Sequence, residues 1–153
     1  MATITNCLVL TGAAAEAAEF YAEVFGARVE ARIPDGRGGV VLCTLRVCGQ
    51  ELVILNGADA AASIPSQRVT LQVHVDGQEE FDRYWFGLLA GGSAGRCGWL
   101  TDRFGVWWNI VPEQQRRILQ RATSETMPRI TRALAGMERI DLAELERIAG
   151  AAA

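Results

Sequence analysis

Lysine is missing from the sequence, and all 15 of its basic residues are arginines. A chain without lysine side chains cannot form a lysine Schiff base or use a lysine nucleophile, so both kinds of covalent catalysis are excluded. Histidine occurs only once, as His74. The formal net charge is -3, so the chain has no basic surplus for a phosphate backbone, and we expect no nucleic-acid partner.

Long apolar runs are also missing. No stretch approaches the roughly 20 apolar residues of a transmembrane helix, so we expect no membrane association. The first ten residues carry no positive charge ahead of their apolar positions, unlike a secretory signal peptide. We therefore expect a cytoplasmic protein. Its 153 residues, 50% of them hydrophobic and 22% charged, are typical of one globular domain.

No two of the four cysteines form a C-x-x-C pair, which excludes zinc-ribbon and thioredoxin motifs. In a cytoplasmic chain of this size, we expect buried free thiols rather than disulfides. The cysteines are Cys7, Cys43, Cys48 and Cys97.

The secondary-structure pattern occurs twice. A strand at 4–10 and an amphipathic helix at 13–25 precede strands at 29–33, 40–47 and 51–56. After a connector at 58–66, a strand at 69–75 and a helix at 77–89 precede strands at 97–101 and 106–111. Gly26 is the expected helix C-cap and Asp76 the expected N-cap of the second helix. Short polar helices are predicted at 113–122, 127–135 and 142–148.

The two predicted helices share a residue spacing, since Glu16 followed by Phe20-Tyr21 recurs as Glu80 followed by Tyr84-Trp85. Tandem units of this kind indicate a duplicated α+β fold, although any two amphipathic helices can share such a spacing. We predict one domain, with module one at 3–57, module two at 67–112 and a helical tail at 113–153.

Several segments resemble one protein family. They are 16–21 (EAAEFY), 52–57 (LVILNG), 82–85 (DRYW), 95–102 (GRCGWLTD), 104–112 (FGVWWNIVP) and the tail at 137–145. Together they resemble the vicinal oxygen chelate superfamily, which has the glyoxalase and bleomycin-resistance fold. Within it they are most similar to the PhnB-like branch, often labelled demethylubiquinone methyltransferase-like.

The resemblance implies two tandem βαβββ modules that form a cupped mixed sheet around a small-molecule ligand. It also implies a homodimer, in which modules are sometimes exchanged between chains. No segment resembles the glycine-rich loop with which a Rossmann-type methyltransferase holds its cofactor, because the glycine cluster at 36–39 lies between two predicted strands. We therefore do not expect an S-adenosylmethionine-dependent methyltransferase.

Many members of the superfamily bind a divalent metal through one His, Gln or Glu from each of four strands. The resemblance puts Thr5, Arg68 and Asn109 at three of these positions. Threonine and asparagine are weak ligands and arginine does not coordinate metals, so we expect neither a metal nor another cofactor. The alternative is a metal-dependent lyase, isomerase or dioxygenase that uses Glu51, His74 and a water molecule.

Strand alternation predicts which side chains face the cup. On the second module's first strand, the apolar residues at 69, 71, 73 and 75 are expected to pack on the helix. Trp108 and Ile110 are expected to face the core as well. The predicted ligand-binding residues are Thr5, Cys7, Arg68, Thr70, Gln72, His74, Trp107 and Asn109.

Some of these residues have competing interpretations. His74 is the candidate general base, because its ordinary pKa lies near neutrality, and the alternative is a hydrogen-bonded histidine at a strand end near Asp76. Cys7 is a weaker candidate nucleophile. Arg96 and Asp102 are predicted either to stabilise turns or, for Arg96, to bind an anion at the cup mouth.

Trp85 and Trp99 are predicted to belong to the core. For function, we expect a metal-independent protein that binds and transforms, or only sequesters, a small organic molecule. The arginine-only, alanine-rich composition is typical of GC-rich bacteria, in which such proteins often serve specialised metabolism or self-resistance. If the protein is an enzyme, an acid–base lyase or isomerase is expected; the remaining alternative is a structural or regulatory dimer without a ligand.

Overall fold

A computed structural model describes residues 2, 4–57 and 70–150. The chain divides into two compact units, Met1–Ile64 and Pro65–Ala153. None of the helices in the described part of the chain combines the length and the apolar composition needed to cross a bilayer.

The first unit contains one helix and four strands. Its elements in chain order are β1 (Asn6–Leu10), α1 (Ala14–Phe25), β2 (Val29–Pro34), β3 (Val40–Val47) and β4 (Gln50–Asn56). The parallel β1–β4 pair and the antiparallel β3–β4 and β2–β3 pairs give the strand order β1-β4-β3-β2. The glycine cluster at 36–39 connects β2 to β3, so it is a link between strands, as predicted from the sequence.

The second unit repeats this arrangement and adds three helices. Its elements are β5 (Leu71–Val75), α2 (Gly77–Leu89), β6 (Ser93–Ala94), β7 (Trp99–Thr101), β8 (Trp107–Pro112), α3 (Glu113–Arg121), α4 (Met127–Gly136) and α5 (Leu142–Gly150). The strand order is β5-β8-β7-β6, with β5 and β8 parallel and the other pairs antiparallel. Each unit is therefore a βαβββ module with the same sheet order, which confirms the predicted duplication.

Each helix packs on one face of its own sheet. In the first unit, Ala17 and Tyr21 of α1 are fully buried together with Cys43 and Leu45 of β3. Asn56 fixes the start of α1, because its side chain accepts a hydrogen bond from the N–H of Ala14 at 2.9 Å and donates to the Val40 carbonyl at 2.7 Å. In the second unit, the buried residues of α2 are Phe81, Tyr84, Trp85 and Leu88.

Two predictions about helix ends had different outcomes. Gly26 is the C-cap of α1 and has a left-handed conformation with φ 60°, as expected of a C-cap glycine. Asp76 lies at the N-cap of α2, but its carboxylate makes no capping hydrogen bond. The Asp76 N–H donates to Glu80 Oε2 at 2.7 Å instead, so Glu80 provides the side-chain contact at this helix start.

The cysteines are all free thiols, as predicted, but their burial differs from the expectation. Cys43 is buried, whereas Cys7 and Cys48 are exposed. Cys48 and Gly49 form the two-residue turn between β3 and β4 with φ values of 49° and 79°. A two-residue hairpin turn of type I′ has positive φ at both central positions, and the Cys48 side chain is exposed at this turn.

Candidate functional site

The second unit's sheet has one face on the core and one face with polar side chains. Along β5, Val73 and Val75 are buried while Gln72 and His74 are exposed. On β8, Trp108 and Ile110 are buried to 2% and 0% exposure, as strand alternation predicts. The exposed face of β5 thus carries Gln72 and His74, two of the residues predicted for ligand contact, whereas Asn109 of β8 is only 5% exposed.

A row of three side chains crosses this face. Trp99 of β7 is opposite Asn109 of β8, and Asn109 is opposite Gln72 of β5. Gln72 Nε2 donates to Asn109 Oδ1 at 2.8 Å, and Asn109 Nδ2 donates to the Cys97 carbonyl at 3.3 Å. Both the oxygen and the nitrogen of the Asn109 amide are therefore already hydrogen-bonded. We interpret Asn109 as a residue that orients Gln72, not as one that binds a ligand directly.

Two tryptophans form an aromatic wall beside this row. The ring centroids of Trp99 and Trp107 are 6.5 Å apart, with an interplanar angle of 65°. Together with Gly95 and Arg96 they line a pocket of about 340 Å³. The prediction that Trp99 belongs to the core is therefore wrong, because the three-residue strand β7 buries Leu100 and turns Trp99 to the opposite face, whereas Trp85 is buried as predicted.

Arg96 and Asp102, at the two ends of the segment at 95–102, differ in environment. Arg96 is exposed and its Nη1 donates to the Ala135 carbonyl at 3.1 Å. Asp102 is 3% exposed and accepts hydrogen bonds from the N–H of Phe104 at 2.8 Å and from Trp108 Nε1 at 2.8 Å. Asp102 therefore stabilises the turn before β8, and Arg96 remains available at the pocket rim.

The loop that carries Arg96 is attached to the helical tail. The N–H of Cys97 donates to the Met137 carbonyl at 2.7 Å, and the N–H of Gly98 donates to the Glu138 carbonyl at 3.0 Å. Cys97 Sγ lies 2.9 Å from the Leu134 carbonyl, and burial raises the pKa of this thiol. Cys97 is thus a structural residue of the loop, and these hydrogen bonds attach the helical tail to the second module.

A side-chain clamp joins the tail to α2. Arg139 binds Asp82 through two hydrogen bonds of 2.7 and 2.5 Å. Gln78 donates to the Ile140 carbonyl at 2.9 Å and accepts from the N–H of Leu142 at 2.9 Å. Burial alone would raise the pKa of Asp82, but the hydrogen bonds from Arg139 and Gln78 and the charge of Arg139 lower it below its ordinary value.

The lowered pKa of Asp82 predicts an acid-sensitive clamp. A carboxyl group whose pKa is lower in the folded state stabilises the fold above its unfolded pKa, and this contribution disappears as the pH falls through the folded value. We expect Asp82→Asn to cost about 1–2 kcal/mol at neutral pH, after allowance for solvent screening, and almost nothing well below about pH 4. Urea unfolding of both proteins across this range checks it. A difference that does not depend on pH would contradict the assignment.

His74 lies at the far end of β5 from the tryptophans. It is opposite Val111 in the register, whereas Trp107 is four residues earlier on β8. Its Nδ1 lies 3.4 Å from Glu113 Oε1, which also accepts a hydrogen bond from Arg116 at 2.7 Å. The hydrogen bond from Arg116 and the nearby charges, including His74, lower the pKa of Glu113. The carboxylate beside His74 at this strand end is therefore that of Glu113.

A second pocket of about 390 Å³ lies beside Glu113. Its charged lining residues are Asp76, Glu113, Glu146, Arg117 and Arg121. Glu113 is already bonded to Arg116, and Glu146 accepts a hydrogen bond from Gln114. Because charges of both signs line this pocket, it shows no preference for a ligand of one charge, and the tryptophan pocket is the better candidate site.

The predicted site residues of the first unit lie on and before β1. Cys7 is exposed, and Thr5 Oγ1 donates to Glu51 Oε1 at 3.2 Å between two exposed side chains. The carboxylate of Glu51, which was proposed as a metal ligand, therefore accepts a hydrogen bond from Thr5. Of the remaining predicted residues, Thr70 lies just before β5, and Arg68 lies outside the described residues.

Within residues 2, 4–57 and 70–150, no group of three or more His, Cys, Asp or Glu side chains is close enough to hold a metal ion. The sequence-based candidates Glu51 and His74 are in different units.

The sequence did not indicate that Gly95 and Trp99 line a pocket. Two residues of β6 and three of β7 are too few to show a period of two. The feature of the sequence that could have indicated this strand pairing is the glycine pair Gly91-Gly92. A Cβ on Gly92 would lie 2.1 Å from the Thr101 carbonyl oxygen. A glycine at such a site indicates that another strand approaches closely.

Comparisons with known proteins agree with the fold. A family model described as 3-demethylubiquinone-9 3-methyltransferase matches residues 2–111. No curated protein matches the chain significantly.

Solved structures with the same fold come from several bacteria. The PhnB protein of Bacillus cereus is 25% identical, with a TM-score of 0.66, over 72% of this chain and 99% of its own. A Pseudomonas aeruginosa protein is 24% identical, with a TM-score of 0.63, over 73% and 99% of the two chains. A glyoxalase/bleomycin resistance protein from Albidiferax ferrireducens is 13% identical, with a TM-score of 0.51, over 72% and 98%. The family model ends at residue 111, so the helices α3, α4 and α5 lie beyond it. The segment at 137–145, which resembles the same family, also lies beyond the matched residues.

Proposed function

Since the chain belongs to the 3-demethylubiquinone-9 3-methyltransferase family, the PhnB-like branch of the vicinal oxygen chelate superfamily, we propose that it binds a small organic molecule on the exposed face of its second sheet. The observation that carries this proposal is the pocket of about 340 Å³ beside Trp99 and Trp107. Ligand pockets typically measure 300–1,000 Å³ and combine an apolar wall with a few polar groups. Arg96 provides such a group at the pocket, and Gln72 is exposed on the same face of the sheet.

The proposed binding does not use a metal ion. Of the residues at the superfamily's ligand positions, Asn109 has both ends of its amide engaged, and Thr5 is hydrogen-bonded to Glu51. Neither is a strong ligand. Elemental analysis of protein purified without chelator, followed by binding measurements with added Zn²⁺ or Mg²⁺, tests this point. Stoichiometric metal that strengthens binding would favour the metal-dependent alternative.

The proposal does not extend to methyl transfer. The name of the matched family describes that reaction, but the glycine cluster of this chain connects β2 to β3. A cofactor phosphate or carboxylate is instead bound where a glycine-rich loop leads from a strand into a helix. We also keep the homodimer and the role in bacterial specialised metabolism or self-resistance as parts of the proposal, on the grounds of the family resemblance and the composition.

The binding proposal predicts that Trp107 contributes strongly to affinity. With uncharged 2-naphthol as the probe, we expect Trp107→Ala to weaken binding about tenfold or more, because stacking on an aromatic side chain contributes about 1–3 kcal/mol. Phe86→Ala is the matched control, because Phe86 is a 60% exposed aromatic residue on α2 outside the pocket. Isothermal titration calorimetry provides the dissociation constants. Equal losses in both variants, or no binding to the wild type, would refute the proposal.

Calorimetry of His74→Ala, together with a turnover assay, separates the candidate roles of His74. Unchanged affinity and unchanged turnover of any identified substrate in His74→Ala would remove this residue from both binding and catalysis. A loss of turnover with unchanged affinity would support the acid–base role.

A further inference from the structure

The tryptophan pocket has a single charged lining residue. Gly95, Trp99 and Trp107 provide an aromatic and backbone wall, and Arg96 provides a guanidinium group at the rim. No salt bridge within residues 2, 4–57 and 70–150 includes Arg96. Its positive charge therefore has no carboxylate partner from the described part of the chain.

The guanidinium group of Arg96 is held in place by one of its own hydrogen bonds. Its Nη1 donates to the carbonyl of Ala135, near the end of α4, where helix carbonyls lack intrahelical partners. An arginine has five N–H donors, so this bond fixes the group and leaves most donors available. The loop itself is bonded to the tail through the N–H groups of Cys97 and Gly98.

This arrangement matches the chemistry of a carboxylate. The planar guanidinium fork binds a carboxylate through two parallel hydrogen bonds, and a fixed group loses less side-chain entropy on binding. The adjacent tryptophan wall suits the flat face of an aromatic ring. A pocket of about 340 Å³ is large enough for a ligand of one or two rings.

We propose that the pocket selects flat aromatic molecules that carry a carboxylate, with Arg96 as the residue that determines this specificity. The inference rests on the proposed function, because it assigns a ligand class to the same site. It also gives the helical tail a role, since the carbonyl that holds Arg96 belongs to α4, beyond the part of the chain that the family model matches.

The test compares 2-naphthoate with 2-naphthamide, which has the same rings and no charge. We expect the wild type to bind naphthoate about tenfold more tightly, since a hydrogen bond to a charged group contributes about 1.5–3 kcal/mol and exposure reduces this. In Arg96→Gln, this preference should disappear while naphthamide affinity changes less than about twofold. Arg132→Gln, an equal change of charge at an exposed residue of α4, should keep the preference.

Two further measurements guard against a folding defect. Far-ultraviolet circular dichroism should match the wild type for both variants, and Arg96→Lys should retain part of the preference because it keeps the charge. Raising the salt concentration should weaken naphthoate binding and leave naphthamide binding unchanged. A preference that survives Arg96→Gln would overturn the assignment, and so would its loss in Arg132→Gln.

The outcomes separate this inference from the proposed function. If both probes bind the wild type equally and Trp107→Ala weakens both, the site exists but does not select carboxylates, and only this inference fails. If neither probe binds at concentrations of about 10 mM, both proposals fail, since a dissociation constant above that value corresponds to less than about 3 kcal/mol of binding free energy.

Discussion

Replacing Gly98 with alanine is expected to destabilise the second unit by about 2–5 kcal/mol. The residue has φ 77°, a conformation that costs a residue with a Cβ about 1–2 kcal/mol. An added Cβ would also lie 2.6 Å from the carbonyl oxygen of Ile110, a backbone atom of β8. Overpacking of this kind adds about 1–3 kcal/mol, because a strand cannot move as a flexible side chain can.

The clash would also break hydrogen bonds that position the site. The Gly98 carbonyl accepts from the N–H of Ile110 at 2.9 Å, and the Gly98 N–H donates to Glu138. Movement of this residue would displace the neighbouring Arg96 loop, so we expect weaker binding of the naphthol probe as well as lower stability.

Gly77→Ala is the control for the Gly98 prediction. Gly77 has nearly the same φ, 80°, but a Cβ there would meet nothing within 4 Å. Its substitution should therefore cost only the backbone term of about 1–2 kcal/mol. Guanidinium chloride unfolding followed by circular dichroism measures both. Equal free energies of unfolding for the two variants would show that the close approach to β8 contributes nothing.

The second large effect is expected at Asp102. Its carboxylate accepts hydrogen bonds from the N–H groups of Phe104 and Val106 and from Trp108 Nε1, at 2.8, 3.1 and 2.8 Å. Asp102→Ala would leave these donors without their acceptor at a residue that is only 3% exposed. Removing the acceptor of a buried charged network costs about 3–5 kcal/mol, and we expect a loss of that size.

Two variants divide the Asp102 contribution into parts. Asp102→Asn keeps the shape and one acceptor oxygen, so it should lose less than the alanine variant. Trp108→Phe removes only the indole donor. If the Trp108 hydrogen bond contributes, the effects of Asp102→Ala and Trp108→Phe will not be additive in a double-mutant cycle. Additive effects would indicate that the two backbone N–H groups of the turn account for the whole loss.

The sequence predicted secondary structure best where a regular apolar pattern extends over many residues. The helix at Gly77–Leu89 and the strand at Val40–Val47 have the predicted bounds, because their apolar residues repeat often enough to distinguish a period of 3.6 from a period of 2. The paired modules follow from the recurrence of these elements. The short strand β6 escaped prediction because its two residues, Ser93 and Ala94, have no pattern of their own.

The same contrast holds for the candidate site. Alternation along β5 was sufficient to predict that Gln72 and His74 leave the core face. It could not predict the partner of either residue, because the Gln72–Asn109 contact joins residues 37 positions apart and the His74–Glu113 contact joins β5 to α3. The role of Arg96 as the charged residue of an aromatic pocket likewise depends on the pairing of β7 with β8 and on the carbonyl of Ala135.

The sequence by itself determined the family, the duplicated α+β modules and the chemical groups available, since local periods and motifs carry that information. The tertiary structure decided which groups meet. It turned Trp99 out of the core toward Trp107, engaged both ends of the Asn109 amide, and attached the Arg96 loop to the tail. These contacts depend on strand register and on the path of distant segments, which no local pattern specifies.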